Sequence, residues 1–216
     1  NRMASIYFWI WVMKTKRCVP QTLGWLETKL DPHQMSHLER CIEKAKGSAK
    51  SKLAGNISTS LEMKDEDDLF WLDVLQPHIT MYMNEFGEVP VRSYTRTERS
   101  MYLDSFWVNY QKQGEFNPAH HHGGIYSFVV WMNIPTHWKD QYDQPWLEGI
   151  LPEQRKASNF EFTYTDILGG MRHFDYRLDP SSNGTMLFFP SSLIHAVYPF
   201  FNCEENRITI SGNICV

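Results

Sequence analysis

The run 117–135, NPAHHHGGIYSFVVWMNIP, constrains this chain more than any other stretch. Three consecutive histidines, His120, His121 and His122, stand between a turn-like Asn-Pro and two glycines, and the apolar run 125–134 follows. Alternate side chains of an extended segment point to one face. His120 and His122 therefore share a face, and His121 takes the other with a structural role. Imidazole is the commonest metal ligand. Two imidazoles at the mouth of a buried strand predict a metal centre, and His195 is the candidate third ligand.

Composition narrows the class. Hydrophobic residues make up 42% of the 216 and charged residues 21%, a globular balance rather than a disordered one. The formal net charge of −4 argues against a nucleic-acid partner held by phosphate contacts. Four cysteines, Cys18, Cys41, Cys203 and Cys215, have no CxxC spacing, so no disulfide framework is expected and a reducing, cytoplasmic compartment is. Residues 6–12, IYFWIWV, are too few to span a bilayer, which needs about 20 residues. They read either as a buried first strand or as upstream sequence before Met13. No membrane association is expected.

Helices come first and strands afterwards. Asp31-Pro32 reads as an N-cap followed by Pro in the first turn, and Met35, Leu38, Ile42 and Ala45 recur at helical spacing up to Gly47, predicting a helix over 32–46. Residues 47–59, rich in Ser, Lys and Gly, read as a mobile loop. A second apolar stripe, Leu69, Leu72, Leu75, Ile79, Met83 and Phe86, predicts a helix over 64–85, kinked or split at Pro77 and stopped by Gly87. Both helices are expected to pack on a sheet. His33, His37, His78 and His137 fall on these helices or on loops and are expected to be solvated. From about residue 100 the pattern turns to strands, at 101–110, 125–134, 158–164, 171–178, 185–189, 193–198 and 207–215. The long connection 136–156 is expected to act as a lid. An α+β chain whose β half is a closed or sandwiched sheet follows.

The motifs, taken in order, resemble the 2-oxoglutarate- and Fe(II)-dependent oxygenase superfamily. Within it the chain is similar to a bacterial and phage group with a Trp-x-Asn strand, an Asn-x-x-His-x-His motif and a Ser-containing apolar strand ending in Pro. A Gly, a Phe-Pro-Ser, a His and an Arg-x-Ser/Thr strand ending in Asn follow. The corresponding residues are Trp107 and Asn109; Asn117, His120 and His122; Ser127 to Pro135; Gly184; Phe189, Pro190 and Ser191; His195; Arg207 and Thr209; and Asn213. The match runs over about residues 30–214.

The resemblance implies a double-stranded β-helix (jelly roll, cupin-like) with supporting N-terminal helices. It would be one oxygenase domain over 21–216, with helical support at 30–90, a jelly-roll core at 100–216 and an extension at 1–20. It implies Fe(II) as cofactor, 2-oxoglutarate as co-substrate, O₂ and an organic substrate, peptidyl or free, as partners, and hydroxylation of a C–H bond with release of succinate and CO₂. Carried over, His120 and His195 become iron ligands and Arg207 the clamp for the far carboxylate of 2-oxoglutarate. A guanidinium fork suits that carboxylate because it keeps its charge when desolvated. Thr209 is a second donor on the same strand face, and Asn109 and Ser127 are further candidates for touching 2-oxoglutarate.

One position departs from the superfamily pattern. Where the second ligand is usually Asp or Glu, this chain has His122, which either ligates, giving a three-histidine site, or lines the pocket beside a water. A literal His-x-Asp exists at His173 and Asp175, but the 20 residues from there to His195 leave room for only one intervening strand. The same residues also admit a cupin-type metalloenzyme that uses no oxoacid, or a non-catalytic jelly roll with histidines in its core.

Overall fold

A computed structural model describes residues 22–50, 55–87 and 100–216. The apolar run 6–12 and Cys18 lie outside the described residues. Among the described residues, ten strands form two antiparallel sheets. They are β1 (Leu26–Lys29), β2 (Thr59–Glu62), β3 (Tyr102–Gln111), β4 (Asn117–His120), β5 (Tyr126–Asn133), β6 (Phe160–Thr165), β7 (Met171–Tyr176), β8 (Thr185–Pro190), β9 (Ile194–Val197) and β10 (Arg207–Cys215). The larger sheet has the order β1-β8-β5-β10-β3-β2 and the smaller β4-β9-β6-β7. From β3 onward the chain crosses back and forth between the two sheets, apart from the β6–β7 hairpin, in the manner of a jelly roll.

Helix α1 (Pro32–Glu43) starts as its sequence dictates. Asp31 accepts from the Gln34 backbone N–H, Gln34 returns a bond to the Asp31 backbone, and Pro32 occupies the first turn. It stops three residues before the expected end, capped at Lys44. The second helix is interrupted. A π turn, Trp71–Leu75, runs into α2 (Gln76–Phe86), so Pro77 sits in an opening turn where its missing N–H costs little. A short helix α3 (Trp138–Tyr142) lies in the long connection.

Period-two alternation divides the large sheet into two faces. Phe128 and Val130 of β5, Met186 and Phe188 of β8, and Ile210 and Ile214 of β10 pack with Leu38, Phe70, Val74, Leu75 and Tyr82 of the helical layer. The other face of the same strands presents Val129, Trp131, Leu187 and Phe189 to Phe160 and Phe162 of the small sheet. Gly212 is forced by close approach: a Cβ there would lie 2.6 Å from the Phe128 ring and from the Ser105 carbonyl.

Two expectations are corrected. His37 and His78 are buried, not solvated. His78 bridges Thr28 Oγ1 at 2.8 Å and the Val74 carbonyl at 2.7 Å, pinning the helical layer to β1. The connection 136–156 is not a lid over the metal-ligand cluster. Gln141 exchanges two bonds with the Phe201 backbone, Gln144 accepts from Asn202, and Trp146 packs on the Phe201 ring, so the connection braces the turn that leads into β10.

Candidate metal centre

Strand β4 pairs with β9 so that His120 lies directly opposite His195. The register is irregular between Asn117 and His120, which suits a strand carrying Pro118, a residue without an N–H to donate. Two residues on, His122 hydrogen-bonds through its backbone N–H to the Ser191 carbonyl at 2.9 Å, which turns its ring back toward the other two. The ligand atoms of His120, His122 and His195 all lie within 4.8 Å of one another, a spacing that can hold one metal ion.

Tautomers favour that use. The His120 Nδ1–H donates to the Pro118 carbonyl at 2.7 Å, and the His195 Nδ1–H to the Leu193 carbonyl at 2.9 Å. Each ring is thereby held by its outer nitrogen, leaving Nε2 as a lone-pair donor. His195 Nε2 lies 3.2 Å from His122 Nε2, a separation that two ligands of one ion can adopt. All three imidazoles are pushed toward the neutral form, chiefly by burial and then by the charge of neighbouring imidazoles, His121 included, His122 to about 4 and His195 to about 3.

The rings open onto a cavity walled by Trp107, Asn109 and Gln111 of β3, Arg207, Thr209 and Ser211 of β10, and Val129 and Trp131 of β5. Arg207 is fully buried. Its Nη2 donates to the Ser158 carbonyl and hydroxyl and its Nη1 to the Tyr198 carbonyl at 3.4 Å, while Nε has no hydrogen-bond partner. No carboxylate among the described residues pairs with it, and burial alone lowers its pKa to about 9, so it stays a cation at neutral pH. A buried guanidinium with a spare donor and no counter-ion is a site for an anion.

The other expected residues separate into two groups. Thr209 lies opposite Asn109 across the β3–β10 ladder, and both line the cavity; Asn109 Oδ1 already accepts from the Ser60 hydroxyl at 2.6 Å. Ser127 is not among the lining residues. Its hydroxyl lies 2.9 Å from Ser191 Oγ and 2.8 Å from Asn213 Oδ1, so it braces the segment whose carbonyl holds His122. His121 is exposed. His173 and Asp175 point away from the site: both sit on edge strand β7, His173 beside Glu161, and Asp175 bonded to Lys156 and Asn159.

The sequence reading missed one wall. Lys50, Gly55 and Ile57, from the stretch that reads as a loop, and Ser60 of β2 line the cavity next to Asn117. Gly55 has a φ of +137°, and a Cβ on it would fall 1.7 Å from Asn117 Oδ1. Gly55→Ala is expected to cost about 1–3 kcal/mol of stability, the usual scale of local backbone strain. It should also displace the strand carrying His120, so that a thermal melt and an iron titration move together.

Comparison with known proteins agrees with this geometry. Residues 105–213, about half of the chain, match the family model described as "Putative 2OG-Fe(II) oxygenase". Among solved structures, a prolyl-4-hydroxylase from Pseudomonas putida aligns with TM-score 0.50 and 14% identity over 88% of this chain and 92% of that one. The collagen prolyl hydroxylase of Paramecium Bursaria Chlorella virus-1 aligns with TM-score 0.50 and 14% identity over 89% and 96%. A 2OG-Fe(II) oxygenase family oxidoreductase from Burkholderia pseudomallei gives TM-score 0.53 and 9% identity over 89% and 84%. At such identities these likenesses speak for the fold. A search of curated proteins finds no match. The family match spans β3 to β10, from the Trp-x-Asn strand through the histidine cluster to the arginine strand, and the chain belongs to the 2-oxoglutarate- and Fe(II)-dependent oxygenase family.

Proposed function

We propose that His120, His122 and His195 together hold the iron of this oxygenase, and that Arg207 anchors the far carboxylate of 2-oxoglutarate, with Thr209 as a second donor and Asn109 within reach. The observation that carries this reading is a single cavity with three converging imidazoles and a fully buried guanidinium that has no counter-ion among the described residues. With iron(II), 2-oxoglutarate and O₂ bound, the centre supplies oxidising power, converting the oxoacid to succinate and CO₂ and a substrate C–H to C–OH. The chain's own share is positioning and exclusion of water. The carbonyls of Pro118 and Leu193 fix two ring orientations. Trp131, Phe160 and Phe189 supply an apolar lining, in which the charge of Arg207 acts at low dielectric. Lys50, Gly55, Ile57 and Asn117 form the wall that an incoming substrate meets.

The test is anaerobic titration of the chain with iron(II) and 2-oxoglutarate. A visible metal-to-ligand charge-transfer band should develop, and His195→Ala should abolish it. On admitting O₂, succinate should form. Oxygen uptake without succinate would instead point to a metalloenzyme that uses no oxoacid.

A further inference from the structure

A second cluster of ligand atoms lies away from the catalytic cavity. His37 and Cys41 are four residues apart on α1, hence on one helical face, and both are buried. Asp65, which follows β2, completes the group with its side chain only 4% exposed, and one ligand atom from each residue lies within 4.8 Å of the others. We propose that His37, Cys41 and Asp65 form a structural site for a divalent cation of the zinc class, tying α1 to the segment that begins the second helix.

Three observations carry this. The first is the crowding of one nitrogen: His37 Nε2 lies 2.7 Å from Asp65 Oδ1 and 3.5 Å from Cys41 Sγ. The N–H directed at the carboxylate cannot also serve the sulfur, which takes a backbone bond from Glu66, whereas a cation in place of that proton contacts all three groups. The second is charge. One thiolate and one carboxylate neutralise a dication, so the loaded site buries no net charge, the condition a buried ion requires. The third is donor chemistry. Thiolate and imidazole select zinc over magnesium, calcium or iron(II) in a mixed site.

The site is also held in place. Asp65 accepts the backbone N–H of Phe70 at 3.0 Å through Oδ1 and of Trp71 at 2.7 Å through Oδ2, which fixes its orientation. His37 borders a small cleft that it shares with His33, Gln34 and Asp73. Burial holds the Cys41 thiol above its usual value, so the metal-free site keeps its S–H. Loading therefore releases one proton, from Cys41, and moves the His37 proton to Nδ1.

Cobalt(II) is the probe, because it shows an ultraviolet sulfur-to-metal charge-transfer band only where a thiolate binds. The three-histidine centre has no sulfur and contributes none. The full chain should take up two equivalents and develop the band, and Cys41→Ser should lose it. A variant with Cys18, Cys203 and Cys215 all changed to Ser leaves the buried cluster intact and should keep it, which decides the matter if Cys41→Ser does not fold. No band in the unaltered chain, a band that survives Cys41→Ser, or its loss in the sole-cysteine variant would each overturn the proposal.

Discussion

Replacing Arg207 by Met should abolish use of 2-oxoglutarate while leaving the ligand-free chain at least as stable as before. Arg207 is 0% exposed and, among the described residues, has no carboxylate beside it. Burying a cation without a counter-ion costs several kcal/mol, and replacing buried charge by an apolar residue of similar volume is often neutral or stabilising by about 1–4 kcal/mol. Against that stand its bonds to the Ser158 and Tyr198 carbonyls, which Met would leave without donors. The balance should show as an unchanged or raised melting temperature for ligand-free Arg207→Met. The unaltered chain should be further stabilised by added 2-oxoglutarate through mass action, and the variant should not respond. Loss of a desolvated, charge-assisted pair costs about 2–5 kcal/mol, which puts the weakening of 2-oxoglutarate binding at about thirtyfold or more. Arg207→Lys should recover little, since an ammonium on a flexible stem is a point charge and not a rigid planar fork. A structural arginine would behave in the opposite way: the melting temperature would fall, and the response to 2-oxoglutarate would persist.

The strands were legible wherever both faces of the large sheet are covered. There β5, β8 and β10 present long apolar or alternating runs whose pattern reflects burial directly. Two short strands were not. Strand β2, with the sequence TSLE, and β4, NPAH, hold too few residues for any period to appear, and their extended form is set by pairing with β3 and β9. That explains why 47–59 read as mobile loop: the place of Gly55 and Ile57 at the cavity depends on β2 docking beside Asn109, a long-range contact that composition does not encode. His37 and His78 were misread for a related reason. A histidine on a helix becomes buried only if packing supplies its partners, here Asp65 for one and Thr28 for the other. His120, His122 and His195 were legible because two-residue spacing fixes a common face, and the distant His195 was found through family order rather than any local signal.

The three adjacent histidines allow a sharp contrast within one tripeptide. His122→Ala should weaken iron binding by at least about tenfold, the loss that removing even an outer partner of a metal ligand brings. His121→Ala should leave it unchanged, because His121 is exposed and its only described hydrogen-bond contact is a long one, 3.4 Å to the His122 carbonyl. If His122 merely lined the pocket, the two variants would behave alike. Added imidazole should partly restore iron binding to His122→Ala, since it can occupy the space left beside His195. pH provides a second check. The folded pKa values of His122 and His195, about 4 and about 3, lie below the ordinary imidazole value, so in the metal-free chain the unfolded state takes up protons first. Stability contributed by these neutral rings is complete above pH about 6.5 and declines as pH falls from there through their folded values. Iron held by rings that stay neutral should therefore remain bound as pH drops through about 6, a range in which ordinary imidazoles would already be surrendering it to protons. Measured across that interval, an iron affinity that fell with the titration of a free histidine would mean that the rings are exposed and that the three do not act as one ligand set.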